Sequence, residues 1–176
     1  MPTVAEIAVA VDNFMGRPKR IVGTDELPAW GPGHTRHELA TYYPLEVEGE
    51  QFARLMVVGF RRERSLKFRL GILFPPMVCR LDYTDEYHPN TVDGVLDLGL
   101  PPYVDGPHYH SWPLNRRFFH RIASPIDLHD AMPYAEPGRS FDAILRWFCM
   151  DTQIESLPAN HRIELPTPDQ MEFSGV

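Results

Sequence analysis

The amino-acid sequence predicts a single α+β domain spanning residues 1–176: an antiparallel sheet of about five strands with an N-terminal and a C-terminal helix packed on it. Three observations lead there. Apolar residues alternate with polar ones through most of the stretch from Tyr43 to Tyr83, the two-residue period of strands with one buried face. A capped amphipathic segment stands near each end of the chain. Finally, 176 residues at 43% hydrophobic composition can bury one ordinary core and are too few for two full-sized domains.

The first helix is predicted from Val4 to Met15. Thr3 and Glu6 have capping-box spacing, Val4, Ile7, Ala8, Val11 and Phe14 follow at helical intervals, and Gly16 and Pro18 stop the pattern. From Gly16 to Thr41 glycines and prolines break any period, which predicts loop or short irregular structure. Tyr43, Leu45 and Val47 then lead into Glu48-Gly49-Glu50 and the apolar run Leu55 to Phe60, a hairpin. Leu66, Phe68, Leu70, Ile72 and Phe74 fall two apart up to Pro75-Pro76, and Met77, Cys79, Leu81 and Tyr83 begin another strand. Four sequential strands read as an antiparallel meander. Simple hairpin pairing would let Lys67 and Arg69 on one strand meet Arg80 and Asp82 on the next.

Beyond Tyr83 the alternation lapses, and residues 84–106 read as a long acidic loop, a feature that compact domains reserve for function. A further strand is predicted through His108 and His110, continuing with Phe118 to Ile122 after the Trp112-Pro113 break. Ser140 caps a helix that carries Phe141, Ile144, Leu145 and Phe148 on one face. His161 to Pro166 is expected to form a short edge strand, and 167–176 a flexible tail.

Charge is distributed unevenly. The net charge is -7, yet the stretch from Leu81 to Asn115 contributes Asp82, Asp85, Glu86, Asp93, Asp97 and Asp105 with no lysine or arginine. The remainder is near balance, so no global field draws the chain to nucleic acid. A local basic cluster, Arg61, Arg62, Arg64, Lys67 and Arg69, can still contact phosphate, although such a run is more often a solvated strand end. Cys79 and Cys149 lack paired spacing and read as reduced, packed thiols. The N-terminus has no leader pattern and no stretch is apolar enough to span a bilayer, from which a cytoplasmic location with no membrane partner is expected.

The chemistry-bearing residues gather between Arg80 and Arg117. His108 and His110 lie two apart and project to one side of an extended segment, which suits two imidazoles on one divalent metal, with Asp82, Asp85, His88 or Asp105 adding ligands. A cupin-like site is a poor comparison, because no glutamate follows the pair at the usual short interval. Without a metal, His108 and His110 can divide general-acid and general-base roles in cleaving an RNA phosphodiester through its 2′-hydroxyl. Arg80 or Arg116 would then hold the phosphate, and Arg61, Arg62, Lys67 and Arg69 would bind the substrate. The acidic stretch opposes this unless its carboxylates face away or are neutralised. The plain alternative makes both histidines structural hydrogen-bonding residues.

Arg80-Leu-Asp82, then His88-Pro-Asn90, then His108-Tyr-His110 on a curved set of strands resembles small bacterial proteins of the TumE-like toxin-antitoxin group. The resemblance covers roughly residues 42–120. It implies a cytoplasmic protein from a paired operon that acts on RNA or is held by a protein partner. The C-terminal helix and the acidic loop depart from that pattern. An enzyme of this kind requires His108, His110, Arg80 and Asp82 to converge in an open pocket, and fails if either histidine is enclosed by the core. A non-catalytic interaction module instead requires the acidic 84–106 segment and an exposed apolar or edge-strand surface to bind another protein, for which a basic one is a candidate.

Overall fold

The computed structural model describes residues 3–22, 29–60, 66–121, 128–135, 139–155 and 163–166, the side chains of residues 120 and 121 excepted. Helix α1 runs Val4–Met15, as its periodicity predicts. Thr3 Oγ1 accepts the Glu6 N–H at 3.2 Å while the Glu6 carboxylate accepts the Thr3 N–H at 2.6 Å, closing the capping box. Ala8, Val11 and Phe14 form its buried stripe. Its C-terminal end is sealed by Lys19. This side chain is fully buried, and its ammonium donates to the carbonyls of Met15 (3.1 Å), Arg17 (2.8 Å) and, from the far end of the chain, Thr152 (2.8 Å). A cation is favoured there because helix C-termini present carbonyls with no intrahelical donor.

The irregular segment expected up to Thr41 contains two short strands, β1 (Arg20–Ile21) and β2 (Gly31–Pro32), and the start of β3 (Glu38–Val47). The meander then follows as β4 (Glu50–Phe60), β5 (Phe68–Leu73) and β6 (Met77–Tyr83). The expected loop 84–106 is organised instead: β7 (Tyr87–Pro89) pairs with β8 (Tyr103–Asp105), and helix α2 (Val92–Leu98) lies between them. Thr91 caps α2 through the Gly94 N–H, and Gly99 ends it at φ 65°, a left-handed conformation that glycine adopts at little cost.

His108–His110 form β9, as expected. The strand predicted from Phe118 does not form. The chain turns at Ser111 into α3 (Trp112–Asn115) and a 3₁₀ helix, Arg116–Arg121, because Trp112, Phe118 and Phe119 bury as a helical cluster. β10 (Met132–Pro133) adds an edge to β9, and α4 (Phe141–Asp151) is capped by Ser140. Residues 163–166 are irregular, and the rest of the expected edge strand and the tail lie outside the described residues.

Among the described residues the sheet has eight strands rather than about five, in the order β1-β3-β4-β5-β6-β9-β10 with β2 also on β3. One face carries the main core, in which Leu45, Leu55, Val57, Phe68, Leu70, Ile72, Cys79, Leu81 and Tyr109 meet Val11 and Phe14 of α1 and Ile144 and Phe148 of α4. Both cysteines are free and buried there. The other face has a smaller apolar cluster, Ala40, Met56, Val58, Met77 and Leu128. Beside it lies a strip of charged and imidazole side chains. Among the described residues no helix is long and apolar enough to cross a membrane.

Candidate metal centre

Strand register assembles the polar strip. In β6 and β9, Arg80 stands opposite His110 and Asp82 opposite His108; in β5, Arg69 stands opposite Asp82. Alternation places all five on the face away from the main core, while Tyr109, between the histidines, points into it and donates to Asp151 at 2.6 Å. Arg69 and Asp82 thus meet across the sheet, as hairpin pairing requires. The β7–α2–β8 excursion folds over the strip and brings His88 to the other two rings, with centroids 5.3 Å from His108 and 4.5 Å from His110.

Each of the three imidazoles is tethered by one ring nitrogen to a backbone carbonyl. His108 Nδ1 lies 2.7 Å from the Gly106 carbonyl, His110 Nδ1 3.0 Å from the Asp130 carbonyl, and His88 Nε2 3.1 Å from the His129 carbonyl. A carbonyl only accepts, so in each neutral ring that nitrogen carries the proton and the other keeps its lone pair. One ligand nitrogen from each ring lies within 4.8 Å of the other two. A ring tethered by one N–H to a backbone carbonyl has the support that metal-binding histidines use.

Asp82 lies beside two of the rings. It is 1% exposed, and Oδ2 lies 3.3 Å from His108 Nε2 and 3.4 Å from His110 Nε2. Burial raises the Asp82 carboxyl pKa, but its contacts with the two histidines and the charge of Arg80 hold it well below the usual carboxylate range. Burial pulls His110 down to about 4, and burial also lowers His88. At neutral pH an ionised carboxylate therefore faces at least one imidazole lone pair, which requires a cation. Arg80 supplies one: Nε reaches Asp82 Oδ2 at 2.8 Å and Nη2 reaches His110 Nε2 at 3.3 Å. On the other side, Arg69 Nε lies 2.9 Å from Asp82 Oδ1 without the alignment of a hydrogen bond, leaving that buried oxygen short of a donor.

A second layer fixes the carbonyls. Asn115 donates to the Asp130 carbonyl at 2.8 Å and accepts the Asp130 N–H at 2.9 Å; Asn90 does the same for Ala131, at 3.0 and 2.7 Å. Two side-chain amides thus clasp consecutive residues of the 128–131 segment as a neighbouring strand would. The Asp130 carboxylate, fully buried, accepts from the Thr91 N–H at 2.7 Å and from Arg117, and it lies so close to α2 that a Cβ at Gly94 would come within 2.7 Å of it.

Of the residues singled out from sequence, His88, His108, His110, Asp82 and Arg80 converge. They do not line an open pocket: His108 is 2% and His110 0% exposed. The access that a histidine acid–base pair needs is missing. Arg116 is turned away and held by Asp12 of α1 at 2.6 Å. Lys67 is paired with Asp85, and Arg69 with Glu38, Asp82 and Glu86, so neither presents an uncompensated charge to phosphate. Arg61 and Arg62 lie outside the described residues. Asp130, Asn115 and His129 have no periodic signature in the sequence, and their role emerges only from the clasp.

Comparison of the chain with family models, with curated proteins and with solved structures gives no match.

Proposed function

We propose that this is a metal-binding protein in which His88, His108, His110 and Asp82 hold one divalent transition-metal ion of the zinc type. The observation that carries the reading is the common tether: all three rings are bound by one nitrogen to a backbone carbonyl, and a ligand nitrogen of each lies within 4.8 Å of the other two, with an ionised carboxylate beside His108 and His110. Bond lengths of about 2.0–2.1 Å in a tetrahedral shell put neighbouring ligand atoms about 3.3–3.4 Å apart. The two Asp82–histidine contacts already have that spacing, at 3.3 and 3.4 Å. His88, whose ring centroid lies 4.5 Å from that of His110, supplies the remaining ligand.

Three imidazoles and a carboxylate fill a tetrahedral shell with no open position, the arrangement of an ion kept as part of the fold. Such an ion supplies charge to the buried carboxylate and cross-links β6, β9 and the excursion. This reading differs from the RNA-acting toxin-antitoxin role that the resemblance implies, which draws on exposed histidines, whereas His108 and His110 are buried.

The test is metal analysis of protein purified without a histidine tag, beside His108→Ala/His110→Ala. One equivalent of metal, lost in the double variant, is the expected result, together with the visible absorption of a tetrahedral cobalt(II) derivative. Protein that neither retains metal nor binds added zinc or cobalt would overturn the reading.

A further inference from the structure

The β7–α2–β8 excursion covers the histidines with its inner side, and its outer side is unlike an ordinary protein surface. A helix lying on a domain usually buries its large apolar residues and exposes its small and polar ones. Helix α2 does the reverse. The residue it buries is Gly94, pressed against Asp130, whereas Val92 and Leu96 are 72% and 76% exposed. Being four apart, these two share one face. The flanking strands add Tyr87 and Tyr103, which are 61% and 55% exposed and stack on one another at 5.2 Å. Apolar side chains concentrated this way mark a contact surface.

Charge decides what covers it. The chain from Asp82 to Asn115 contains no lysine or arginine. Asp85 and Glu86 are neutralised by Lys67 and Arg69, but Asp93, Asp97 and Asp105 are exposed and make no ion pair among the described residues. Asp93 and Asp97 accompany Val92 and Leu96 turn for turn along α2. A second copy of this chain would set these carboxylates against their own images. We propose that the outer face of residues 87–105 docks a basic amphipathic segment of another protein, its apolar side chains on Val92, Leu96 and the tyrosine pair and its lysines or arginines on the three aspartates. This inference stands independently of the metal reading.

The experiment uses the full chain labelled with nitrogen-15, and as probe a synthetic peptide of about five helical turns built only from leucine and lysine at amphipathic spacing. A leucine–glutamate peptide of the same pattern is the control. The expected result is saturable binding of the lysine peptide, with amide shifts concentrated in 87–105 and no binding of the glutamate peptide. Val92→Ser/Leu96→Ser keeps every charge and should weaken binding by about tenfold or more, with the rest of the spectrum unchanged. Shifts spread over the whole surface, or affinity untouched by the double substitution, would show mere attraction to an acidic protein and overturn the proposal. So would a concentration-dependent dimer in sedimentation that the double substitution abolishes, since the occupant would then be a second copy.

Discussion

Arg80 and a bound metal ion cannot both occupy the space beside His110 Nε2, because the guanidinium Nη2 already lies 3.3 Å from that atom. Metal entry therefore requires Arg80 to release Asp82 and swing outward, a path its partly exposed, long side chain permits. The bond it releases is a charge-assisted hydrogen bond of 2.8 Å, of a kind worth about 1.5–3 kcal/mol. Replacing Arg80 by methionine keeps the apolar stem and removes that bond from the metal-free state alone. Asp82 then keeps only its ion pair with Arg69, whose Nε lies 2.9 Å from Oδ1. Two effects of equal size and opposite sign follow from the thermodynamic cycle. The metal-free protein loses about 1.5–3 kcal/mol of unfolding free energy, and zinc affinity rises by about 10- to 100-fold. Urea unfolding in the presence of a chelator measures the first, and zinc titration against a chromophoric competitor measures the second. If Arg80→Met lowers zinc affinity or leaves it unchanged while destabilising the metal-free chain, Arg80 does not stand where the ion goes, and the site as described is wrong.

Two further substitutions test other parts of the argument. Lys19→Met leaves the carbonyls of Met15, Arg17 and Thr152 without their donor, and should lower unfolding free energy by about 2–4 kcal/mol in urea titrations at neutral pH. Burial lowers the Lys19 pKa to about 8, against about 10.4 in an unfolded chain. Between those values the unfolded chain holds a proton that the folded one has released, so the Lys19 contribution makes stability rise with pH across that window. Subtracting the Lys19→Met urea profile from that of the parent, measured from pH 7 to 10, should show this rise; a flat difference would contradict it. Gly94→Ala should destabilise by about 1–2 kcal/mol despite an intrinsic helix preference for alanine of about 1 kcal/mol. Its Cβ would meet the Asp130 carboxylate at 2.7 Å, and a raised melting temperature would show that the carboxylate gives way freely.

The meander and the two capped helices were legible because their signals are local: two-residue alternation, helical spacing and cap residues decide them within a few positions. Alternation also placed His108 with His110, and Arg80 with Asp82, on common faces, which is why the centre of the site could be named. The excursion was misread as loop although Thr91 before α2 and Gly99 after it are ordinary stop and start signals; prolines and a run of acids masked a helix of only seven residues. Burial of the histidines was not legible, since it depends on what folds over β9. Nor was the 128–131 segment, whose part is played by backbone atoms gripped by asparagines 15 and 41 residues away. Backbone carbonyls have no letter in a sequence.

That grip gives the site a chemical lifetime as well as a shape. Each asparagine matches donor to acceptor and acceptor to donor, and hydrolysis of either amide, the slow spontaneous fate of asparagine, turns its NH₂ into a second oxygen facing the carbonyl of Asp130 or Ala131. The change adds one negative charge, alters no ligand, and converts an attraction into a repulsion, which for Asn115 falls directly behind His110.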